Sequence, residues 1–158
     1  DEEAEQAAKY ILAIQKEDYT TNIELTLSCQ NLPKLDFFSH SDPMVVCYLI
    51  EGNIVIRLLI FSSGKKIELG KTEVIIDNPN PKFATSIAVP YNFEKKQQVI
   101  VNEISLIFIA ELEIYDIDEL KERDDLDKQE LIGYVQTTIH EIVCSPSQQI
   151  NKTIIHPK

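Results

Sequence analysis

The stretch YDIDELKERDDLDKQELIG, residues Tyr115–Gly133, decides how the rest of the chain is interpreted. It starts at the end of an apolar run, passes through an acidic loop and returns to apolar sequence at Leu131. Asp116 and Asp118 lie two residues apart, and side chains at i and i+2 of a strand point to the same side of the pleat. The spacing therefore predicts a strand that ends in paired carboxylates, an arrangement suited to a hard cation.

The segments around this stretch have the pattern of an all-β protein. From Ile23 to Cys29 apolar and polar residues alternate, which predicts a strand with one buried and one wet face. Thr138 and Glu141 have the spacing of a capping box that opens a helical turn. Short strands separated by turn residues predict an antiparallel β-sandwich. Further strands are predicted at residues 44–50, 66–76, 84–89, 111–115, 131–137 and 150–155.

Length and charge narrow the function classes. The 158 residues fit one domain, residues 21–158, preceded by a short N-terminal helical extension or linker, residues 1–20, with apolar residues at helical spacing. A net charge of -11 argues against nucleic acid as a partner, and against anionic lipid unless a cation reverses the local field. No phosphate-binding glycine loop or nucleophile motif is visible, so we expect no catalytic residues and no enzyme. The three cysteines are interpreted as buried thiols of a reducing, cytoplasmic compartment.

A second acidic segment, DFFSHSDP, residues Asp36–Pro43, follows the first confident strand. The loops of a sandwich cluster at its two ends, so this segment and the acidic loop after Tyr115 can converge. Calcium accepts six to eight oxygen ligands in a flexible shell, whereas zinc would need converging Cys or His. Alternatively, each carboxylate belongs to a turn or to a solvated acidic surface. The candidate ligands are Asp36, Asp42, Asp116, Asp118 and Glu130.

An ordered set of motifs resembles a C2 domain. The motifs are IELTLSCQNL (23–32), DFFSHSDPMVV (36–46), GKTEVI (70–75), NPNPKF (78–83) and EIYDID followed by ELIG. With the closing TTIHEIV (137–143), they are most similar to the first C2 domain of a copine. The resemblance covers about residues 22–158. It implies an eight-stranded sandwich that binds calcium at one end and then docks on an anionic phospholipid membrane.

The resemblance also implies roles for individual residues. Asp36 and Asp42 match first-loop ligands, Asp116 and Asp118 match the paired third-loop ligands, and Glu130 matches the last ligand. Strongly calcium-binding members usually have Asp at that last position, so Glu130 departs from the pattern by one methylene. The implied module is cytoplasmic and is recruited to the plasma membrane when calcium rises. The alternative is a calcium-independent domain that binds protein partners.

Two further groups are candidates for the membrane surface. Phe37 and Phe38 lie at the tip of the first acidic loop, where they either enter the acyl boundary or pack beneath the loop. The lysines either form a basic patch for phosphoinositide or belong to ordinary surface. They are Lys65, Lys66 and Lys71.

Two apolar stretches have no counterpart in the C2 pattern. Residues 52–61 (GNIVIRLLIF) predict a hairpin arm that turns at Gly52-Asn53. Residues 99–110 (VIVNEISLIFIA) lengthen the strand that ends at Tyr115, so we expect a break or bulge near residues 102–105. The two inserts are interpreted as a partner-binding surface, an aggregation liability or translated intervening sequence.

Overall fold

The computed structural model describes residues 21–35, 39–56, 59–61, 66–91 and 104–157, with the backbone alone at 51–56, 59–61 and 104–109. Four predictions fall outside these residues: the N-terminal helix at 1–20, the ligand Asp36, the membrane contacts Phe37 and Phe38, and Lys65 of the proposed basic patch.

The described part of the chain is built from antiparallel strands with one short α-helix. It contains seven strands, so the prediction of eight is not confirmed there. The strands are β1 (Thr21–Leu25), β2 (Pro43–Ile56), β3 (Leu59–Phe61), β4 (Lys66–Lys71), β5 (Ile87–Tyr91), β6 (Ile104–Asp116) and β7 (Glu130–Thr138), and the helix is α1 (Ile139–Cys144). Short 3-10 turns lie at Leu120–Glu122, Leu126–Lys128 and Pro146–Gln148.

The strands form two sheets. β1 pairs with β5 in a two-stranded sheet. The larger sheet has the order β3-β2-β6-β7, with β4 also paired to β2. Every strand pairing is antiparallel. This arrangement confirms the all-β prediction.

The core explains why β2 has a continuous apolar sequence rather than an alternating one. Cys47 packs with residues of β1 and β5 between the two sheets, and Val45 packs in a neighbouring cluster with Phe83 and Ile114. Met44 and Val46 pack in a third cluster with Tyr115 and Ile117. Alternate residues of β2 therefore join different clusters, and both sets are buried, as in a strand covered on both faces.

Side chains, not turn residues, set two of the strand boundaries. The Val45 N–H donates to the Thr72 hydroxyl oxygen (3.0 Å), so a side chain takes the place of a main-chain acceptor where β4 ends. The N–H groups of Ala84 and Thr85 donate to the Glu73 carboxylate (2.6 and 3.1 Å). The predicted strand at 66–76 is therefore too long, because residues 72–76 lie outside β4. The predicted strand at 84–89 begins too early, because β5 starts at Ile87.

The two apolar inserts pair with each other. Ile54 is opposite both Phe61 and Leu106, and Ile56 is opposite Leu59 and Ile104. The hairpin arm exists, but the predicted turn at Gly52-Asn53 is wrong, because β2 continues through these residues. The predicted break near residues 102–105 is not found at 104 and 105, which belong to β6, and residues 102 and 103 lie outside the described residues. The irregularity in the pairing of β2 with β6 lies between Ile50 and Asn53 of β2.

The C-terminal segment lies against β7 without forming the predicted strand at 150–155. Its strand-like pairing is one antiparallel bridge between Tyr134 and Ile155, and Nδ1 of His156 lies 2.7 Å from the Ile132 carbonyl oxygen. A Cβ atom at Gly133 would lie 2.7 Å from the Ile155 carbonyl oxygen, so only glycine fits under this segment. The N-terminal cap of α1 is confirmed, because the Thr138 hydroxyl accepts a hydrogen bond from the Glu141 N–H (3.1 Å).

Candidate functional site

Three loops meet at one end of the sandwich, which we call the loop end. The first loop is residues 26–42, the middle loop 72–86 and the last loop 117–129. The antiparallel registers place them together, because the start of β2 lies beside the ends of both β4 and β6, and the end of β6 lies beside the start of β7. The opposite end carries α1, which follows the far end of β7.

The two acidic segments meet at the loop end. Pro43 is opposite Asp116, and Asp116 is opposite Glu130 on the next strand. Asp42, which directly precedes Pro43, therefore lies at the same level of the sheet as Asp116 and Glu130. The pairing of β2, β6 and β7 thus brings three of the five candidate ligands to the same end of the sheet.

Asp42 and Asp116 are joined by main-chain hydrogen bonds. Asp116 is only 3% exposed, and its Oδ1 accepts from the Asp42 N–H at 2.6 Å. The Ile117 N–H donates in return to the Asp42 carbonyl oxygen at 3.1 Å. Asp42 is half-buried, and its Oδ1 accepts from the N–H of Asp77 at 2.7 Å. Backbone donors thus hold both carboxylates in place.

Asp77 belongs to the loop end, although it is not among the ligands predicted from the sequence. Its carboxylate accepts from the His40 N–H at 2.8 Å and lies 3.2 Å from Nδ1 of the same histidine, and these contacts lower the pKa of Asp77. Its φ of 52° lies in the left-handed region, which Asp tolerates better than most residues. The Asp-Asn-Pro sequence signalled the turn, but nothing local signalled its contact with Asp42.

The other two described candidates lie at the exposed rim. Asp118 and Glu130 are both exposed. Three other carboxylates of the last loop pair with lysines. Asp124 lies 2.8 Å from the Lys71 ammonium group, which lowers the pKa of Asp124, and Lys128 lies 3.2 Å from both Glu122 and Asp125.

The donor set has the chemistry of a hard-cation site, but it is not gathered into a complete one. Carboxylate oxygens suit calcium or magnesium and not zinc. Among the residues that the structure describes, no three His, Cys, Asp or Glu side chains are grouped so that they could hold a metal ion. The pair that the structure brings together is Asp42 and Asp116.

Of the two interpretations of the lysines, ordinary surface fits the two that are described better than a basic patch. Lys66 forms ion pairs with Glu111 and Glu113 of β6. Burial lowers the pKa of Lys66, but the hydrogen bonds to these carboxylates outweigh it and raise the pKa overall. Lys71 pairs with Asp124 and lies 3.7 Å from Glu68. Both ammonium groups are therefore neutralised within the chain.

The prediction that all three cysteines are buried is wrong for Cys144. Cys47 is buried and Cys29 half-buried, and burial raises the pKa of each thiol to about 11. Cys144 is exposed at the end of α1, with its Sγ 3.6 Å from Nδ1 of His140. The apolar sequence around Cys144 belongs to a short amphipathic helix, which buries Ile139 instead.

Comparisons with known proteins agree on one protein family. The family model described as the C2 domain matches residues 23–154. Copine-B of Dictyostelium discoideum is 33% identical over 135 residues, which are 85% of this chain and 22% of that protein. Nicotinic receptor-associated protein 1 of Caenorhabditis elegans is 32% identical over 129 residues, 78% of this chain and 19% of that protein. The chain thus spans about a fifth of the length of these curated relatives.

Solved structures of two C2 domains are also similar. A C2 domain of plant extended synaptotagmin 1, its domain A, aligns with 76% of this chain and 68% of its own, at 19% identity and a TM-score of 0.49. The structure of BON1-C2B aligns with 77% of this chain and 67% of its own, at 25% identity and a TM-score of 0.48. Within the described residues, no helix has the length and apolar character needed to cross a bilayer.

Proposed function

The chain belongs to the C2 domain family and is similar to copines over most of its length, and from this premise we propose that it is a calcium-dependent phospholipid-binding module. Its proposed ligands are Asp36, Asp42, Asp116, Asp118 and Glu130, and Phe37 and Phe38 are proposed membrane contacts. We propose a binding role and no catalysis. The proposed setting is the cytoplasm, with recruitment to the plasma membrane when calcium rises.

One observation carries the proposal: the hydrogen-bonded pair of Asp42 and Asp116. Each carboxylate uses its Oδ1 atom to accept a backbone N–H. Among the described residues, no hydrogen bond is made by either Oδ2 atom, so each side chain keeps an oxygen for a ligand while its orientation is already fixed. Pre-organised ligands lose little conformational freedom when they bind.

Electrostatics explain why a cation is needed. An acidic chain repels anionic lipid. Bound calcium supplies positive charge at the loop end and open coordination positions for a lipid phosphate or carboxylate. Without a cation, carboxylates brought closer together repel each other.

The test is a calorimetric titration of Ca²⁺ into the wild type and into Asp116→Asn/Asp118→Asn, with sedimentation on phosphatidylserine-containing vesicles in parallel. We expect saturable binding by the wild type, at least tenfold weaker binding by the double variant, and loss of calcium-dependent sedimentation. Asp124→Asn/Asp125→Asn is the matched control, because it removes the same charge at last-loop residues that are paired with lysines. Equal effects of the two double variants would contradict the ligand assignment.

A calcium-independent protein-interaction domain is the second candidate. It is favoured by the absence of a three-ligand group among the described residues and by the apolar inserts, which pair in a three-stranded extension of the larger sheet. A folded wild type that gives no heat with Ca²⁺ and does not sediment with vesicles would select this function over the first.

A further inference from the structure

Among the side chains that the structure describes, most exposed large apolar ones lie at the loop end. Four large hydrophobic residues are exposed in the described part of the chain: Leu35 (37%), Ile76 (62%), Leu120 (50%) and Ile155 (50%). The first three come from three different loops at the loop end, one from each. Each also lies within two residues of an aspartate, namely Asp36, Asp77 and Asp118 respectively.

Ile76, on the middle loop, is the most exposed of the four. The two residues before it are anchored in the protein: Val74 packs against the cluster of Met44 and Val46, and Ile75 packs against the cluster of Val45 and Phe83. Ile76 is the next residue, and its side chain joins neither cluster. Exposing an isoleucine is unfavourable by roughly 25 cal/mol per Å² of apolar surface unless something else covers it.

The backbone on both sides of Ile76 is fixed to the first loop. The Ile75 N–H donates to the Pro43 carbonyl oxygen (3.1 Å), and the Asp77 N–H donates to the Asp42 carboxylate (2.7 Å). The Asn78 N–H then donates to the Ser41 carbonyl oxygen (3.2 Å). Ile76 is therefore presented on a braced loop beside the candidate ligand Asp42, so its burial would require little further ordering of the chain.

We propose that the middle loop is a membrane-insertion element, in which Ile76 enters the acyl boundary between the apolar tips of the first and last loops. This inference rests on the proposed function. The proposed partner is a lipid bilayer and not a protein, because the exposed apolar side chains at the loop end alternate with carboxylates. The centre of a protein–protein interface is depleted of charged residues. An interfacial membrane site instead places apolar side chains in hydrocarbon and charges among the headgroups.

The chain contains no tryptophan, so a single introduced one reports its own surroundings. We would compare Ile76→Trp with Ile155→Trp, the matched control on the C-terminal segment beside β7, in vesicles of phosphatidylcholine and phosphatidylserine. Phospholipid brominated on its acyl chains would serve as the quencher. With calcium, we expect a blue shift and quenching for Ile76→Trp and neither for Ile155→Trp.

A second pair of variants measures the contribution to affinity. Ile76→Asn should weaken vesicle binding at saturating calcium about tenfold, which corresponds to partial burial of one isoleucine side chain. Ile155→Asn should not change it. Calorimetric calcium affinity without lipid should be the same in both variants and in the wild type, because the bonds to Asp42 come from the backbone. Urea unfolding would show that each variant is folded.

The outcomes separate this inference from the proposed function. If the wild type binds no calcium, the proposed function fails, and the inference fails with it. If the wild type binds calcium and vesicles but Ile76→Trp is not quenched, the middle loop does not insert and the inference alone is overturned. Weaker binding by Ile76→Asn without such quenching also overturns it, and would assign the exposed tips to a protein partner.

Discussion

The middle and last loops use the same residue type in two different ways. In the middle loop, carboxylates accept hydrogen bonds from main-chain N–H groups: Glu73 from Ala84 and Thr85 of the same loop, and Asp77 from His40 of the first loop. In the last loop, Asp124 and Asp125 pair with lysine ammonium groups at the surface. A main-chain N–H group is held in place by the fold, whereas a lysine side chain can rotate away from its partner. Carboxylates bonded to the main chain therefore fix a loop, and carboxylates paired with lysines mainly balance charge.

The largest expected effect removes a main-chain acceptor from a buried position. Asp116→Ala should lower the free energy of unfolding by about 2–3 kcal/mol, because it leaves the Asp42 N–H without its acceptor. Asp116→Asn keeps an acceptor oxygen and should cost clearly less. Urea unfolding at neutral pH without calcium measures both, and equal losses would mean that the hydrogen bond to Asp42 contributes little.

An intermediate effect, with a pH signature, is expected at Glu73. Burial tends to raise its pKa, but the N–H groups of Ala84 and Thr85 outweigh burial and lower the pKa to about 2. Glu73→Gln should therefore cost about 1–2 kcal/mol at neutral pH. Because the folded-state pKa is depressed, the stabilisation by Glu73 is fully present above its ordinary pKa of 4.5 and is lost as the pH falls toward about 2.

Unfolding curves of wild type and Glu73→Gln at a series of pH values would check this sign. The difference in stability between the two proteins should be constant above pH 4.5 and should shrink below it. A difference that grew on acidification would show that the carboxylate is not the charged acceptor described here.

The smallest effect is expected in the last loop. Lys128→Ala removes the partner of both Glu122 and Asp125, yet all three groups lie at the surface. Exposed ion pairs contribute little and are screened by salt. The urea midpoint should therefore stay within experimental scatter of the wild type, at low and at high ionic strength. A clear loss at both ionic strengths would instead show that these carboxylates fix the last loop, as those of the middle loop do.

Sequence patterns predicted the parts of the fold that depend on local periodicity. The alternation from Ile23 corresponds to β1, although β1 ends at Leu25 and not at the predicted Cys29. The apolar run from Met44 corresponds to β2, and the spacing of Thr138 and Glu141 corresponds to the cap of α1. Strand boundaries failed where a distant side chain replaces a main-chain acceptor. Thr72 and Glu73 do this at the end of β4 and before β5, and no window of neighbouring residues contains that information.

The candidate site was predictable to a similar degree. The pairing of Asp42 with Asp116 was expected from the rule that sandwich loops share an end. Asp77 was missed because an Asp-Asn-Pro turn has the same sequence wherever the turn lies. The exposure of Ile76 was missed because it follows two half-buried residues, Val74 and Ile75, that pack against different clusters. Both omissions concern tertiary contacts of the middle loop.

The unequal burial of the cysteines gives the molecule a ready-made attachment point. Cys29 and Cys47 are shielded, and their thiols have a pKa of about 11, so they react slowly with maleimides at neutral pH. Cys144 is exposed on α1, at the end of the sandwich away from the three loops. One fluorophore can thus be attached to the unmodified chain without altering the loop end. Energy transfer from that dye to an acceptor in the bilayer would report the distance between α1 and the membrane surface.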